Sequence, residues 1–493
     1  MGDSADPAPV DCTAAEAAKN EANVAFKEKH FPQAVVGYTK AINLDPNNAV
    51  YYSNRAFAHI KLENFGSAIS DATKSLELDS TYVKAYYRRG DAQFALGHFK
   101  ESLSDFKKAA RVSPRDPDLR RKLAACEKAV KEIRFAAALA TPEEEAKIYS
   151  NLVDFSAMPV EDGYKGPKMQ GNEEDGYTIT LDFVKAMMAE FKEQRQIHKR
   201  FAFEIVLGAQ KVLKELPSLV DIEVPESQHF TVCGDVHGQF YDLVNIWELN
   251  GLPSESNPYL FNGDFVDRGS FSVEVILTLL AMKLLYPSAM NLSRGNHESA
   301  SMNKMYGFYG EVKAKYNSML SEVFRETFCW LPLCHVISGI NGKVFVVHGG
   351  LFSRDNVTLD EIRQIDRNRE PPEEGLMCEM LWSDPGPMPG RQPSKRGVAV
   401  AFGSDVTKNF LETNNLDLII RSHEVKDEGY ELEHDGFLAT VFSAPNYCDQ
   451  MGNKGAYVKF KGEDMTPQFT TFSSVPHPEV RPMAYANSFL NFM

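Results

Sequence analysis

Gly234-Asp235-Val236-His237-Gly238-Gln239 stands directly after an apolar run, His229-Phe230-Thr231-Val232-Cys233, and two later stretches repeat its design. They are Gly263-Asp264-Phe265-Val266-Asp267-Arg268-Gly269 and Arg294-Gly295-Asn296-His297-Glu298. Glycine admits backbone angles that other residues resist, so each stretch can turn sharply and bring short polar side chains to one point. Carboxylate, amide and imidazole donors converging in this way suit a divalent cation. Three further polar clusters also follow apolar runs: His348-Gly349-Gly350-Leu351 after Lys343–Val347, Arg421-Ser422-His423-Glu424 after Leu416–Ile420, and Ser443-Ala444-Pro445-Asn446-Tyr447-Cys448 after Ala439–Phe442. A polar cluster after each of these strand-like runs predicts a site on the common edge of a layered sheet structure.

Around this centre the chain has 493 residues, room for about three domains. Its net charge of −15 disfavours nucleic acid as a partner, because phosphate backbones call for basic surfaces. Seven cysteines without Cys-x-x-Cys spacing fit a reducing compartment better than a disulfide framework. Met1-Gly2-Asp3-Ser4-Ala5-Asp6 lacks the basic flank and apolar core of a signal peptide, and Asp6 stands where a myristoylation signal needs Ser or Thr. The most apolar stretch, Val273–Leu285, is interrupted by Glu274 and Lys283 and is too short to span a bilayer. The expectation is a soluble intracellular monomer.

Residues 15–118 repeat with a period of 34. Phe31, Phe65 and Phe99 share a column, as do Ala34, Ala68 and Ser102; Ala22, Ala56 and Gly90; and Phe26, Ile60 and Phe94. Small and large residues alternating at helical spacing predict paired helices in close approach. Pro46 and Pro114 end their repeats. The segment resembles three tetratricopeptide repeats followed by a capping helix, which stack into an all-α solenoid with a concave binding face. Lys19, Asn23, Asn54, Lys84 and Arg88 fill the columns that form a carboxylate clamp in chaperone-binding members, and Lys61 adds charge nearby. The resemblance therefore implies binding to the acidic C-terminus of the 90 kDa or 70 kDa heat-shock chaperones.

Residues 136–175 change character, with acidic Glu143–Glu145 and repeated glycines, and read as an exposed linker. Two amphipathic helices are expected after it, the first capped by Thr180 or Asp182. The expected division is a flexible start (1–14), the repeats (15–135), the linker (136–175), a catalytic domain (176–475) and a C-terminal tail (476–493).

Residues from about 175 to 475 resemble the phosphoprotein phosphatase family of metal-dependent serine/threonine phosphatases, on the blocks GDVHGQ, GDFVDRG, RGNHE, HGGL, RSHE and SAPNYC in order. The fused repeats point to its repeat-bearing members. The resemblance implies an α/β metallophosphoesterase domain, a central β-sandwich flanked by helices, holding two divalent ions (manganese, iron or zinc). Asp235, His237 and Asp264 would take one ion; Asp264, Asn296, His348 and His423 would take the other, with Asp264 as the bridge. A bridging carboxylate suits cations ~3.5–4 Å apart, whose repulsion it offsets. Also implied are direct attack of a metal-bridging hydroxide on phosphoserine or phosphothreonine proteins, phosphate held by Arg268, Arg396, Asn296 and Tyr447, and His297 as general acid oriented by Asp267. No Cys-x5-Arg loop suggests a covalent phosphoenzyme, since Cys448 is followed by Asp449-Gln450-Met451-Gly452-Asn453-Lys454.

In repeat-bearing members a similar tail docks on the repeats and Glu63 matches a contact with the catalytic channel. The resemblance thus implies autoinhibition relieved by chaperone peptide or lipid, in cytoplasm and nucleus. Two alternatives stand beside it: a chaperone-binding adaptor with a weakly active or inactive phosphatase fold, and a metallophosphoesterase acting on nucleotides.

Overall fold

A computed structural model describes residues 11–139, 147–172 and 176–486. Most of the expected flexible start, part of the expected linker and the end of the tail lie outside the described residues. The chain forms two compact units, one built on residues up to 146 and including Pro393–Val398, the other spanning Lys147–Gln392 and Ala399–Asn487.

In the first unit, three helix pairs follow one another: Cys12–Lys27 with Phe31–Leu44, Ala49–Lys61 with Phe65–Leu78, and Val83–Ala95 with Phe99–Val112; Pro117–Leu139 caps them. The small-residue columns explain the spacing. A Cβ on Gly37 would stand 2.8 Å from Ala22 Cβ, and one on Gly90 would stand 2.9 Å from the Phe106 ring. Phe106 is fully buried against that glycine, burial worth about 1.5–3 kcal/mol. A polar pattern runs at the same period. Arg55 grips Asp71 through Nε (2.8 Å) and Nη2 (2.7 Å) and donates to Thr39 Oγ1 through Nη1 (2.9 Å). One repeat on, Arg89 does the same to Asp105 (2.7 and 3.0 Å) and Thr73 (3.1 Å).

The second unit is a sandwich of two sheets. One has six strands, ordered Tyr430–Glu433, Leu438–Val441, Leu418–Arg421, Lys343–Val347, Cys334–Ser338 and Leu219–Glu223; the other has five, ordered Gln468–Phe472, Gly455–Lys461, His229–Cys233, Tyr259–Phe261 and Met290–Leu292. Val232, Leu260 and Val458 from one sheet interdigitate with Val344, Ile420 and Val441 from the other, giving a dry middle layer. The motif strands run parallel within each sheet: His229–Cys233, Tyr259–Phe261 and Met290–Leu292 in one, Lys343–Val347, Leu418–Arg421 and Leu438–Val441 in the other. Their C-terminal ends therefore share an edge. A bridge between Asp235 and Phe442 joins the two sheets there.

Helices cover the outer faces. Ser272–Leu285 is buried on all sides from Ser272 to Lys283, which accounts for its near-uniform apolar sequence. Thr180 caps the helix Leu181–Lys192 by accepting from Phe183 N (3.2 Å). Within the stretch expected as linker, Met158 and Met169 are buried in the core of this unit, and Glu326 accepts from Tyr149 N (2.6 Å) and Ser150 N (3.0 Å). Among the described residues no helix is long and apolar enough to cross a membrane.

Candidate active site

The loops at the shared edge are bent in the left-handed region at His237 (φ 40°), Asp264 (49°), Asp267 (70°), Arg268 (70°) and His423 (71°). Non-glycine residues occupy this region at a cost of order 1–3 kcal/mol each and persist where their surroundings over-determine them. Glycines let the loops touch. A Cβ on Gly295 would fall 2.2 Å from Asp264 Oδ1 and 2.4 Å from Asp264 N.

Backbone carbonyls fix the imidazole tautomers. His237 Nδ1 donates to Val266 O (3.0 Å) and His348 Nδ1 donates to Asn262 O (2.8 Å), so each Nε2 turns a lone pair inward. His237 Nε2 lies 3.5 Å from Asp264 Oδ2 and 3.8 Å from Asp235 Oδ2. His348 Nε2 lies 3.4 Å from Asp264 Oδ2 and 3.2 Å from His423 Nδ1. Two buried groups result, His237–Asp264–His297 and Asp264–His348–His423, each with ligand atoms within 4.8 Å and with Asp264 in both.

The donor set fits two cations. The Asn296 side-chain oxygen faces only acceptors, Asp264 Oδ1 and Oδ2, His348 Nε2 and His423 Nδ1, at 2.9–3.2 Å. Asp235 Oδ2 is buried with no hydrogen-bond partner among the described residues. Lone pairs crowded in this way repel one another until positive charge lies between them. Oxygen and imidazole without thiolate suits manganese, iron or zinc in a mixed N/O site. Burial pushes the His237 imidazole down to about 3, leaving it neutral and able to ligate. Burial also pushes the Asp235 carboxyl up to about 8, whereas His348 and His297 overcome burial at Asp264 and hold it well below the ordinary range. Burial opposes the charge on His348 too, but Asp264 and Asp235 lift it to about 9. Bound cations invert this logic, ionising both carboxyls and neutralising the imidazole.

Beside the ligands, His297 Nδ1 donates to Asp267 Oδ2 (2.8 Å), and His297 N donates to Asp264 Oδ1 (2.8 Å). Asp267 also accepts from Asn303 Nδ2 (3.1 Å) and Phe308 N (2.9 Å). Its side chain is fully buried, which raises its carboxyl well above the ordinary value against the pull of those bonds. The Arg268 guanidinium lies 3.6 Å over the Tyr306 ring. Half-buried Tyr447 packs its ring against His237 and Phe442 (5.2 and 5.3 Å). Arg396 belongs to Pro393–Val398, which groups with the helical unit; its backbone N donates to Ser394 Oγ (3.1 Å).

Three charged residues inside the quoted motifs carried no role in the sequence reading. Glu298 accepts from Asp264 N (2.8 Å), Phe265 N (2.8 Å) and Gly295 N (2.9 Å), locking one motif loop to the next. Arg294 ties its loop to the carbonyls of Glu298 (3.0 Å) and Arg369 (2.8 Å). Arg421 donates to Gly349 O (2.7 Å) and to Asp384 (2.8 Å). Their presence in the motifs was the available signal.

The C-terminal segment runs along the loop carrying Arg268. Val475 N donates to Asp242 Oδ1 (2.9 Å), Ser270 Oγ donates to Arg481 O (2.6 Å), and Met483 N donates to Arg268 O (2.7 Å). Residues 482–485 form turns, with Ala486 N donating to Met483 O (3.0 Å).

In the helical unit, Asn23 Oδ1 accepts from Tyr38 OH (2.7 Å) and Asn54 Nδ2 (3.5 Å), and Lys19 pairs with Glu16. Arg88 stacks 3.3 Å over the Phe57 ring, with Lys61 Nζ 5.4 Å from the same ring; Lys84 is exposed. Glu63 sits at a left-handed turn (φ 59°) between two helices.

A family model described as calcineurin-like phosphoesterase matches residues 228–427; a PPP5 TPR repeat region matches 123–221 and a tetratricopeptide repeat 83–116. Serine/threonine-protein phosphatase 5 of Arabidopsis thaliana is 59% identical, covering 97% of this chain and 98% of its own. The Homo sapiens protein of the same name is 54% identical, covering 97% of this chain and 94% of its own. A solved Saccharomyces cerevisiae protein serine/threonine phosphatase with similarity to human phosphatase PP5 superposes with TM-score 0.60 at 40% identity, covering 62% of this chain and 100% of its own.

Proposed function

Because the chain belongs to the serine/threonine-protein phosphatase 5 family, we propose that this protein phosphatase hydrolyses phosphoserine and phosphothreonine in proteins by direct attack of water, with no covalent phosphoenzyme. Asp235, His237 and Asp264 would hold one divalent cation, and Asp264, Asn296, His348 and His423 the other. When bound, such a pair supplies Lewis-acid activation of water and offsets the charge of the phosphoryl group.

The chain's own residues supply the rest. Arg268 and Arg396 offer planar forks for phosphoryl oxygens, and Asn296 and Tyr447 add polar contacts. His297 gives its Nε2 proton to the departing alkoxide while Asp267, on Nδ1, fixes the ring and supports its charge. The observation that carries this reading is the 2.8 Å His297–Asp267 contact on a histidine whose backbone also binds Asp264. His297→Asn should lower turnover by about 10²–10⁴ while metal content by elemental analysis stays at two ions per chain. Proportional loss of metal would make His297 a ligand instead, a role that its grouping with His237 and Asp264 allows.

Control is assigned to the repeats. Lys19, Asn23, Asn54, Lys61, Lys84 and Arg88 would bind the acidic C-terminus of a heat-shock chaperone. Glu63 and the tail would hold the enzyme in an inhibited state in cytoplasm and nucleus. Two observations support this reading: the Asn23–Asn54 contact and the ring under Arg88 and Lys61 gather the groove residues, and the tail backbone bonds to Arg268 itself. Lys19→Ala or Arg88→Ala should abolish binding of an acidic C-terminal chaperone peptide. Removing residues 1–175 or the tail should raise basal activity; no rise in either form would refute autoinhibition.

A further inference from the structure

Asp267 and Arg268 are consecutive left-handed residues, and strain of that kind needs an external support. One helix, Phe308–Lys315, supplies it at both ends. At its start, Phe308 N donates to Asp267 Oδ1 (2.9 Å). At its end, Lys315 Nζ donates to Ser270 O (3.3 Å), to both Glu274 oxygens (2.7 and 2.6 Å) and to Glu311 Oε1 (2.7 Å). Glu311 in turn accepts from Ser272 N (3.2 Å) and Val273 N (2.8 Å), and Ser272 Oγ accepts from Asp267 N (3.1 Å). The two ends of the helix lie about 10 Å apart, at ~1.5 Å per residue, so it spans the bent loop as a fixed ruler.

The charges in this support are costly. Lys315, Glu274 and Glu311 have side-chain exposures of 11%, 6% and 1%. A buried ion group of this kind is weak evidence for stability, since an apolar replacement often does as well. Its value here lies in place: it fixes the carbonyl of Ser270 and the amides of Ser272 and Val273 on the far side of Asp267 and Arg268. We infer that Lys315, Glu311 and Glu274 are positioning residues for dephosphorylation, holding the loop that presents Asp267 to His297 and Arg268 to phosphate. This rests on the roles proposed above for Asp267 and Arg268. Misplacement of a catalytic group by about 1 Å can cost about 10²-fold in rate.

The test uses the full-length, metal-loaded enzyme. K315M and E311Q should lower kcat/KM on a phosphopeptide by about 10²-fold, with two metal ions per chain retained, and K315R should restore most of the loss. In a D267N/R268A background, assayed at high enzyme concentration with an aryl phosphate, K315M should cost no more than about twofold, because the positioned groups are gone. If K315M does not fold, E274Q is measured in the same way. Parent-like kcat/KM in these variants, or an undiminished loss in the D267N/R268A background, overturns the inference. If D267N and R268A alone keep full activity, the roles proposed for those two residues fail, and this inference with them.

Discussion

Asp267→Asn isolates one charge in a site whose shape it leaves alone. Asparagine keeps the outline and can still accept from Phe308 N, but its amide nitrogen would face the donors His297 Nδ1 and Asn303 Nδ2. The lost charge-assisted hydrogen bond is worth about 1.5–3 kcal/mol. A unit charge ~4 Å from an imidazolium, at an effective dielectric constant of ~20, is worth about 4 kcal/mol. The two overlap, and because the Asp267 side chain is fully buried no discount for solvent applies. Support for the protonated His297 thus falls by about 3 kcal/mol, roughly a hundredfold in the population able to donate. Turnover of a phosphoserine peptide should drop by about 10–10² at neutral pH, partly offset because a less supported acid gives its proton more readily. An aryl phosphate, whose phenolate leaves without a proton, should lose much less. Equal losses on both substrates, or a loss that tracks metal content, would refute a proton-delivering His297–Asp267 pair.

Gly295→Ala should abolish activity and reduce bound metal, read by elemental analysis, because the new methyl would have to displace the Asp264 carboxylate and amide. Phe106→Ala should destabilise the repeats by about 3–5 kcal/mol in urea titration, leaving a cavity beside Gly90. His477 reports on the tail: burial opposes its charge, but the Pro478 carbonyl and Asp449 (3.0 Å) raise it above the ordinary value. A group raised on folding contributes fully below its unfolded pKa, ~6.5, and loses that contribution as pH rises through its folded value. Hydrogen-exchange protection of the Val475 and Met483 amides should therefore fall above neutral pH in the parent and stay flat in His477→Gln.

The chemistry of the edge was legible because chemistry is carried by residue type. Asp235, His237, Asp264, Asn296, His348 and His423 follow apolar runs, and an apolar run locates a strand to within a residue or two. Asn262 lies just past the strand Tyr259–Phe261, and its carbonyl holds His348. What holds the site was not legible. Glu298 bonds to backbone amides, which every sequence contains, and Glu311 and Lys315 are four apart on a helix, the usual mark of a solvated pair. Only the fold shows them buried. The conformations of Asp267 and Arg268 leave no trace in their identities. Met158 and Met169 lie among the glycines of a stretch that reads as linker, and two isolated apolar residues make no periodic pattern. Arg396 fits a family motif, yet its segment groups with the helical unit.

The apolar and small-residue columns of the repeats carry no sign of Arg55 and Arg89, which belong to a polar pattern of the same period. Arg55 and Arg89 each clasp an aspartate within their own repeat and a threonine in the one before. Opening a repeat at such a junction leaves the aspartate in place but takes the threonine oxygen from the guanidinium, so that a half-enclosed N–H loses its acceptor. Fraying from one end is therefore resisted at two successive junctions. The repeats should melt as one cooperative block, and the groove should keep its curvature until the whole block gives way.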